Sequence, residues 1–416
     1  VEAARYDVLI VGGGMVGATL ARATAGCGLQ TAVVEAIDPG SRDQPSYDDR
    51  VIALAWGSRL ILEAIGVWSA LADKAQPIRS VHISDRGHFG LSRIDHAEAG
   101  VEALGYVVSA RDLGTSLHQG LAEQADLLCP ARLLEFRLGA EGVRADVEVA
   151  GETRRLQARL LVAADGGDSE IRRQLGIPVR EWTYGQTAVI ANLTPGVPHG
   201  GVAYERFTDS GPLALLPMRE GRCSLVWTLE DERAPEVMSL DDQDFLQRLQ
   251  ARFGRRLGRF RRVGRRAAYP LRQLLVRQTV GRRLALVGNA AHTLHPVAGQ
   301  GFNLGLRDVA TLADVLADVA ACSGDPGAPG VLQRYAEWRR RDQRNLALIT
   351  DGLVRVFSNP LPPLRLLRNL GLVGFDLLPP VKRLVTRHFM GLVPILPRLG
   401  RGLPLNRTAA PVSRDD

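Results

Sequence analysis

The stretch YDVLIVGGGMVGATLARATAGCGLQTAVVEA, Tyr6 to Ala36, decides the fold. YDVLIV is a short apolar, β-branched run. Three glycines follow it, and then a helical pattern that ends at Gly26 or Gly28, where glycine closes helices by taking the left-handed conformation. QTAVVEA, Gln30 to Ala36, reads as the next strand. Strand, glycine turn, helix and strand form a βαβ unit, so the chain opens as a doubly wound α/β domain. Gly12, Gly14 and Gly17 supply G-x-G-x-x-G directly after the strand. The first permits the tight turn, the second lets backbone approach a pyrophosphate, and the third lets helix and strand pack closely. Glu35 ends the second strand, where a carboxylate can accept hydrogen bonds from ribose hydroxyls and opposes a 2′-phosphate. The adenosine bound here is therefore not that of NADP, and the motif alone leaves NAD and FAD both open.

Two later stretches repeat the strand, turn and helix pattern. LLVAADGGDSEIRR, Leu160 to Arg173, runs an apolar strand into Asp165-Gly166, and LVGNAAHTLHPVAGQGFNLGLRD, Leu286 to Asp308, runs one into Gly288-Asn289. Beyond Gly301 the apolar positions Leu306, Val309, Ala310, Ala313 and Leu316 have helical spacing, which places a helix start at Gly299-Gln300-Gly301. Such a helix end stabilises negative charge by about 0.3 to 2 kcal/mol, and glycines there let backbone lie against a flat ring. Pro296 stiffens the approach, and His292 and His295 read as loop-orienting residues rather than acid–base groups.

Between these stretches the texture changes. From Trp182 to Glu230, TAVIANL, GVAYERF, PLALLPM and CSLVWTLE alternate between Gly and Pro turns, which predicts an antiparallel sheet inserted into the first domain. A helix is predicted from about Leu240 to Phe253, with Ser239 and Asp242 as a capping box. RRLALVG, Arg282 to Gly288, returns to a buried parallel strand. The C-terminal third has a helical pattern, a Gly/Pro loop at Ser323 to Gly330, and a tail, RTAAPVSRDD, that reads as frayed. The expected architecture is α/β: a Rossmann-like FAD-binding domain at 1–178 and 279–345, an antiparallel-sheet substrate domain at 179–278, and a helical C-terminal region at 346–416.

With 416 residues and 45% apolar content, the chain can bury a large core. The net charge of +7 comes almost wholly from arginine, since lysine occurs only at Lys74 and Lys382. Cys27, Cys129, Cys223 and Cys322 lie far apart without ligand spacing, so neither a metal site nor a disulfide framework is expected. The chain opens without the charge and apolar pattern of a signal peptide, and no apolar run reaches the roughly 18 residues of a spanning helix. A cytoplasmic location is expected. The arginine-rich run Phe253 to Arg266 has little aromatic interleaving, which favours a solvated or anionic-lipid-facing surface over nucleic acid. Leu361 to Leu396 mixes apolar and basic residues at helical spacing, as either a packed helical layer or a contact with a membrane surface or partner.

Taken together, the glycine motif, Asp165-Gly166, Gly288-Asn289 and segments such as DDRVIALAWGSRLILEAIGVW resemble the flavin-dependent aromatic hydroxylases of the p-hydroxybenzoate hydroxylase fold. Within that group the chain is similar to the ubiquinone-biosynthesis hydroxylases, especially those acting on 2-polyprenyl-6-methoxyphenol. The resemblance spans Asp7 to about Leu392. It implies an FAD-dependent monooxygenase that takes electrons from NAD(P)H, bound transiently, and oxygen from O2. It further implies that Gly12, Gly14, Gly17 and Glu35 hold the ADP half of FAD, and that Arg50 approaches the pyrophosphate or flavin. Asp165 and Gly166 match an Asp-Gly motif that touches FAD and NAD(P)H. Gly288 and Asn289 match a Gly-Asp motif, from which Asn289 departs by losing the charge while keeping hydrogen-bonding capacity. Pro296, Gly299, Gln300, Gly301 and Asn303 would meet the flavin ring. No catalytic side chain is assigned. Implied partners are a hydrophobic polyprenylphenol, other ubiquinone-biosynthesis proteins and the inner-membrane surface. The rivals are an FAD-dependent reductase or halogenase of the same fold and a flavin-less lipid-binding protein.

Overall fold

The computed structural model describes residues 4–38, 40–41, 50–294, 299–358 and 362–406, without the side chains of 353–358 and 362–368. The opening motif forms β1 (Ala4–Val11), α1 (Met15–Thr24) and β2 (Thr31–Val34). β1 runs parallel to β2 on one side and to β3 (Glu152–Ala163) on the other, and β3 runs parallel to β4 (Leu284–Leu286). The order β4-β3-β1-β2 places the C-terminal ends of three motif-bearing strands side by side. Ligands of open α/β sheets bind at such an edge.

Both faces of this sheet are covered, which is why its strands read as unbroken apolar runs. On one face Val8, Ile10, Leu160 and Val162 pack with Leu20 of α1 and with Leu306, Val309 and Leu316 of α2 (Gln300–Ala321). On the other, Leu9, Val11, Leu161 and Ala163 pack with Val143, Ala145 and Val147 of an antiparallel extension. The C-terminal helices are α3 (Pro329–Ser358), α4 (Pro362–Leu377) and α5 (Pro379–Phe389). The tail expected to fray, 407–416, lies outside the described residues.

The second sheet is built from Val179–Thr194, Val202–Thr208, Gly211–Pro217, Cys223–Glu230 and Ala267–Val276. It is not confined to residues 179–278. Ser80–Asp85 pairs in parallel with Val202–Thr208, and Leu91–Asp95 adds beyond it. Without them Val202–Thr208 would present a row of unpaired backbone groups. One face packs Leu213, Leu215, Leu225 and Trp227 on Phe245, Leu249 and Phe253 of the helix Asp242–Phe253. The cap of that helix also differs from expectation. Asp241 accepts the Asp244 N–H at 2.8 Å, whereas Ser239 ends a preceding short helix and donates to the Glu236 carbonyl at 2.9 Å.

Candidate active site

At the glycine-rich turn, α1 starts with Gly14 as its N-cap, with no side-chain cap and no acidic residue in its first turn. Its first N–H groups and the positive end of its dipole suit a phosphate. A Cβ on Gly12 would lie 2.4 Å from the Ala164 carbonyl oxygen, and one on Gly17 would lie 1.9 Å from that of Gly12. The first and third motif glycines are thus required by packing among β1, α1 and β3. Glu35 is buried, its Oε2 accepting the Gly13 N–H at 2.6 Å and its Oε1 the Ile37 N–H at 2.9 Å. Each oxygen keeps a second lone pair. His118 Nε2 donates to the Gly13 carbonyl at 2.7 Å, a contact between residues far apart in sequence that local patterning does not signal.

After β3, Asp165 Oδ2 accepts the Ile171 N–H at 3.2 Å, while the buried Asp165 Oδ1 has no hydrogen-bond partner among the described residues. Gly166 has φ +85° and open space where a Cβ would stand. Arg172, buried on the short helix Glu170–Gln174, donates to the Gly167 carbonyl at 2.6 Å and the Ala290 carbonyl at 3.0 Å. It therefore ties the second motif loop to the third.

In the third loop Gly288 has φ +58°, and Asn289 is the single exposed residue between Arg283 and His292. Gly299, with φ +60°, is the N-cap of α2, and a Cβ on Gly301 would meet nothing within 4 Å. Gln300 is buried and donates to the Phe389 carbonyl at 3.3 Å. Asn303 was expected against the flavin, but its side chain is used within the protein. Its Oδ1 accepts from Ala55 N–H at 2.8 Å and Ser58 Oγ at 2.7 Å, and its Nδ2 donates to the Ala53 and Gly299 carbonyls, each at 2.8 Å. An amide makes about four such bonds, so Asn303 acts by holding the loop. The Arg50 guanidinium lies 5.2 Å from the ring centroid of Tyr269 on the second sheet. Pro296 and His295 lie outside the described residues.

Behind the third loop is a buried ionic cluster. Asp308 Oδ2 accepts from His292 Nε2 at 2.5 Å and from the Gly288 N–H at 3.2 Å. Its Oδ1 accepts from Arg339 Nε and Gln343 Nε2, each at 2.8 Å. Asp342 joins Arg339 at 2.6 Å to Arg307 at 2.8 Å. Burial alone would raise the Asp308 carboxyl, but His292 and Arg339 outweigh it and hold it well below the usual carboxylate range. His292 thus orients the turn, as the sequence suggested, through a partner the sequence did not reveal.

The arrangement fits a flavin dinucleotide. Asp165 Oδ1 is a buried acceptor in want of a hydroxyl donor, the start of α1 suits a pyrophosphate, and the space beside Gly301 admits a flat ring. A protein with this fold and this site is a flavin-dependent monooxygenase, with FAD as its cofactor. Residues 5–347 match the FAD binding domain family, and the chain belongs to it. The chain is 43% identical over 404 residues to ubiquinone hydroxylase UbiL of Rhodospirillum rubrum, covering 96% of this chain and 93% of that protein. It is 33% identical to the 3-demethoxyubiquinol 3-hydroxylase of Escherichia coli, covering 93% and 98%. Its fold matches that of p-nitrophenol 4-monooxygenase PnpA from Pseudomonas putida with a TM-score of 0.76 at 19% identity, over 94% and 98% of the two chains.

Proposed function

We propose that this protein hydroxylates the aromatic ring of a polyprenylated phenol, 2-polyprenyl-6-methoxyphenol, in ubiquinone biosynthesis, using NAD(P)H and O2. The observation that carries this reading is an apolar face of the second sheet turned toward the flavin loop. Ala203, Leu216 and Met218 share a cluster with Val51, Ala53 and Trp56, and Ala53 Cβ lies 3.2 Å from where a Cβ on Gly299 would stand. Within the segment GPLALLP, Gly211–Pro217, only alternate residues can face the ring, because Leu213 and Leu215 point into the opposite core.

FAD, once bound and reduced, supplies the activation of O2. The protein's part is to hold and to exclude. Gly12, Gly14, Gly17 and Glu35 would take the ADP half, Arg50 and Asn289 the middle, and Asp165 a hydroxyl of the cofactor. The start of α2 at Gly299, Gln300 and Gly301 would favour negative charge on the reduced ring, and the apolar sheet face would keep water from it.

The prenyl tail gives the C-terminal helices a purpose. Leu377, Leu378, Val381 and Leu384 are exposed where α4 meets α5, with exposed Arg383 and Arg387 beside them. No helix among the described residues is long and apolar enough to cross a membrane. This patch is suited to docking on an anionic lipid surface from the cytoplasmic side. Co-sedimentation with phosphatidylglycerol vesicles, reduced by L377E/L384E, is the expected result; equal sedimentation removes the docking role.

Mass spectrometry of the product formed under labelled O2 tests the function. One labelled oxygen on the ring of 2-polyprenyl-6-methoxyphenol is expected. Reduction or halogenation without oxygen incorporation would replace the reading, and incorporation only into a differently substituted prenylphenol would move the ring position.

A further inference from the structure

The second sheet carries an acid that the cofactor site does not use. On Val202–Thr208 side chains alternate between faces. Tyr204 packs toward the Phe253 core, whereas Ala203 joins the cluster that holds Ala53, and Phe207 packs with Ile83 and Leu372 of α4. Glu205 stands between Ala203 and Phe207 on the same face, about 7 Å along the strand from Ala203. Its lateral neighbours are Ala214 and Ile83. No hydrogen bond or ion pair reaches its carboxylate among the described residues, yet the side chain keeps part of its surface open. An acid placed so shares the sheet face whose residue Ala203 packs toward Ala53 and the flavin loop.

We infer that Glu205 is the acid–base residue of the substrate cleft, taking the proton of the phenol hydroxyl as the ring is oxygenated. This rests on the hydroxylase reading above. The phenol O–H bond breaks and a carboxyl O–H bond forms, and the bonding pair stays on the phenol oxygen and enriches the ring. The ring then takes up the electrophilic oxygen that NAD(P)H and O2 supply through FAD. As aromaticity returns, the C–H proton leaves to water and Glu205 gives its proton back to the phenol oxygen.

The surroundings set this group up for the task. Burial among apolar neighbours pushes its carboxyl up to about 7. A general base works best with a pKa near the operating pH. Among the described residues, charged groups on the packed elements are engaged elsewhere, His82 with Arg256 at 2.6 Å on the opposite face. Asp85 accepts from Asn369 Nδ2 at 2.9 Å, Asp351 accepts from Trp182 Nε1 at 3.3 Å, and Asp376 accepts from Lys382 at 3.1 Å. Arg206 is directed to the other face, where it donates to the Arg252 carbonyl at 3.1 Å.

The test uses the FAD-loaded protein and 2-geranyl-6-methoxyphenol. In wild type, kcat/KM should fall as pH drops below about 7. E205Q should lose that limb and fall roughly 10²- to 10⁴-fold at pH 8 while keeping its flavin, and E205D should restore part of the rate with the limb. An E205Q protein within threefold of wild type and with the limb intact overturns the assignment. A second readout needs no turnover and no variant. The phenolate absorbance of bound 2-geranyl-4-nitrophenol should rise in two steps with pH in wild type, because probe and Glu205 share a proton. A single step overturns the inference. If wild type oxygenates no prenylphenol, the function fails, and the titration still judges Glu205 by itself.

Discussion

Asp308 and Glu205 are both acids withdrawn into the protein, and they end in opposite states. Asp308 meets His292, Arg339, Gln343 and the Gly288 N–H, and stays ionised far below the usual range. Glu205 meets Ala214 and Ile83 across the sheet and is pushed up to about 7. Burial acts on both in the same direction, so the partners decide. A partnered acid serves as a fixed part of the frame, and an unpartnered one keeps a proton to exchange.

The largest effect should follow from breaking the partnered case. D308N leaves Arg339 and Arg307 facing one carboxylate, and we expect a loss of about 3–5 kcal/mol of stability in urea unfolding, with flavin lost on purification. A variant that unfolds within 1 kcal/mol of wild type would show that the cluster does not hold the frame. Asp308 adds stability above its ordinary pKa of 3.8, and that contribution drains as pH falls toward its lower folded value.

The unpartnered case has the opposite sign. Glu205 rises from 4.5 to about 7, so the folded chain keeps a proton that the unfolded chain sheds in that window. Its contribution is full below the lower value and lost as pH rises through the upper. E205Q should therefore melt about 3–5 °C above wild type at pH 8, with the gap closing toward pH 4.5 in a thermal scan. A gap that widens on acidification would reverse the assignment.

Asp165 lies between the two, with one oxygen bonded to the Ile171 N–H and one unpartnered among the described residues. D165A should weaken FAD about tenfold by fluorescence titration, equivalent to about 1.4 kcal/mol, with little change in melting temperature. The smallest change is expected at Asn289, which is exposed and so imposes no desolvation on an added charge. N289D should keep FAD affinity within about threefold. A larger loss would show that the uncharged amide is needed at this turn.

How much of this was legible in the sequence follows from the range of each interaction. The three turns were legible because each is local, a strand, glycines and a helix start within a few residues. Their convergence was legible because parallel strands aim their C-terminal ends one way. The Asp308 cluster was not, since Arg339 lies a long helix away and i, i+3 or i, i+4 patterns carry no trace of it. Glu205 was hidden differently. In GVAYERF neither alternating set is wholly polar or apolar, so the period gives a strand without saying which face meets the flavin. Arg172 carries no local sign of its partners in a chain rich in arginine, and Asn303 looked like a ligand because asparagine near a glycine loop carries no sign of who uses its amide.

The parallel pairing of Ser80–Asp85 with Val202–Thr208 bears on engineering by exchange of parts. Residues 179–278 cannot be lifted out as a cassette, because the strand carrying Glu205 would lose the neighbour that supplies Ile83. A chimaera meant to transfer substrate preference between related hydroxylases must graft 80–95 along with the insert, or it will carry a raw edge that pairs with other copies and aggregates.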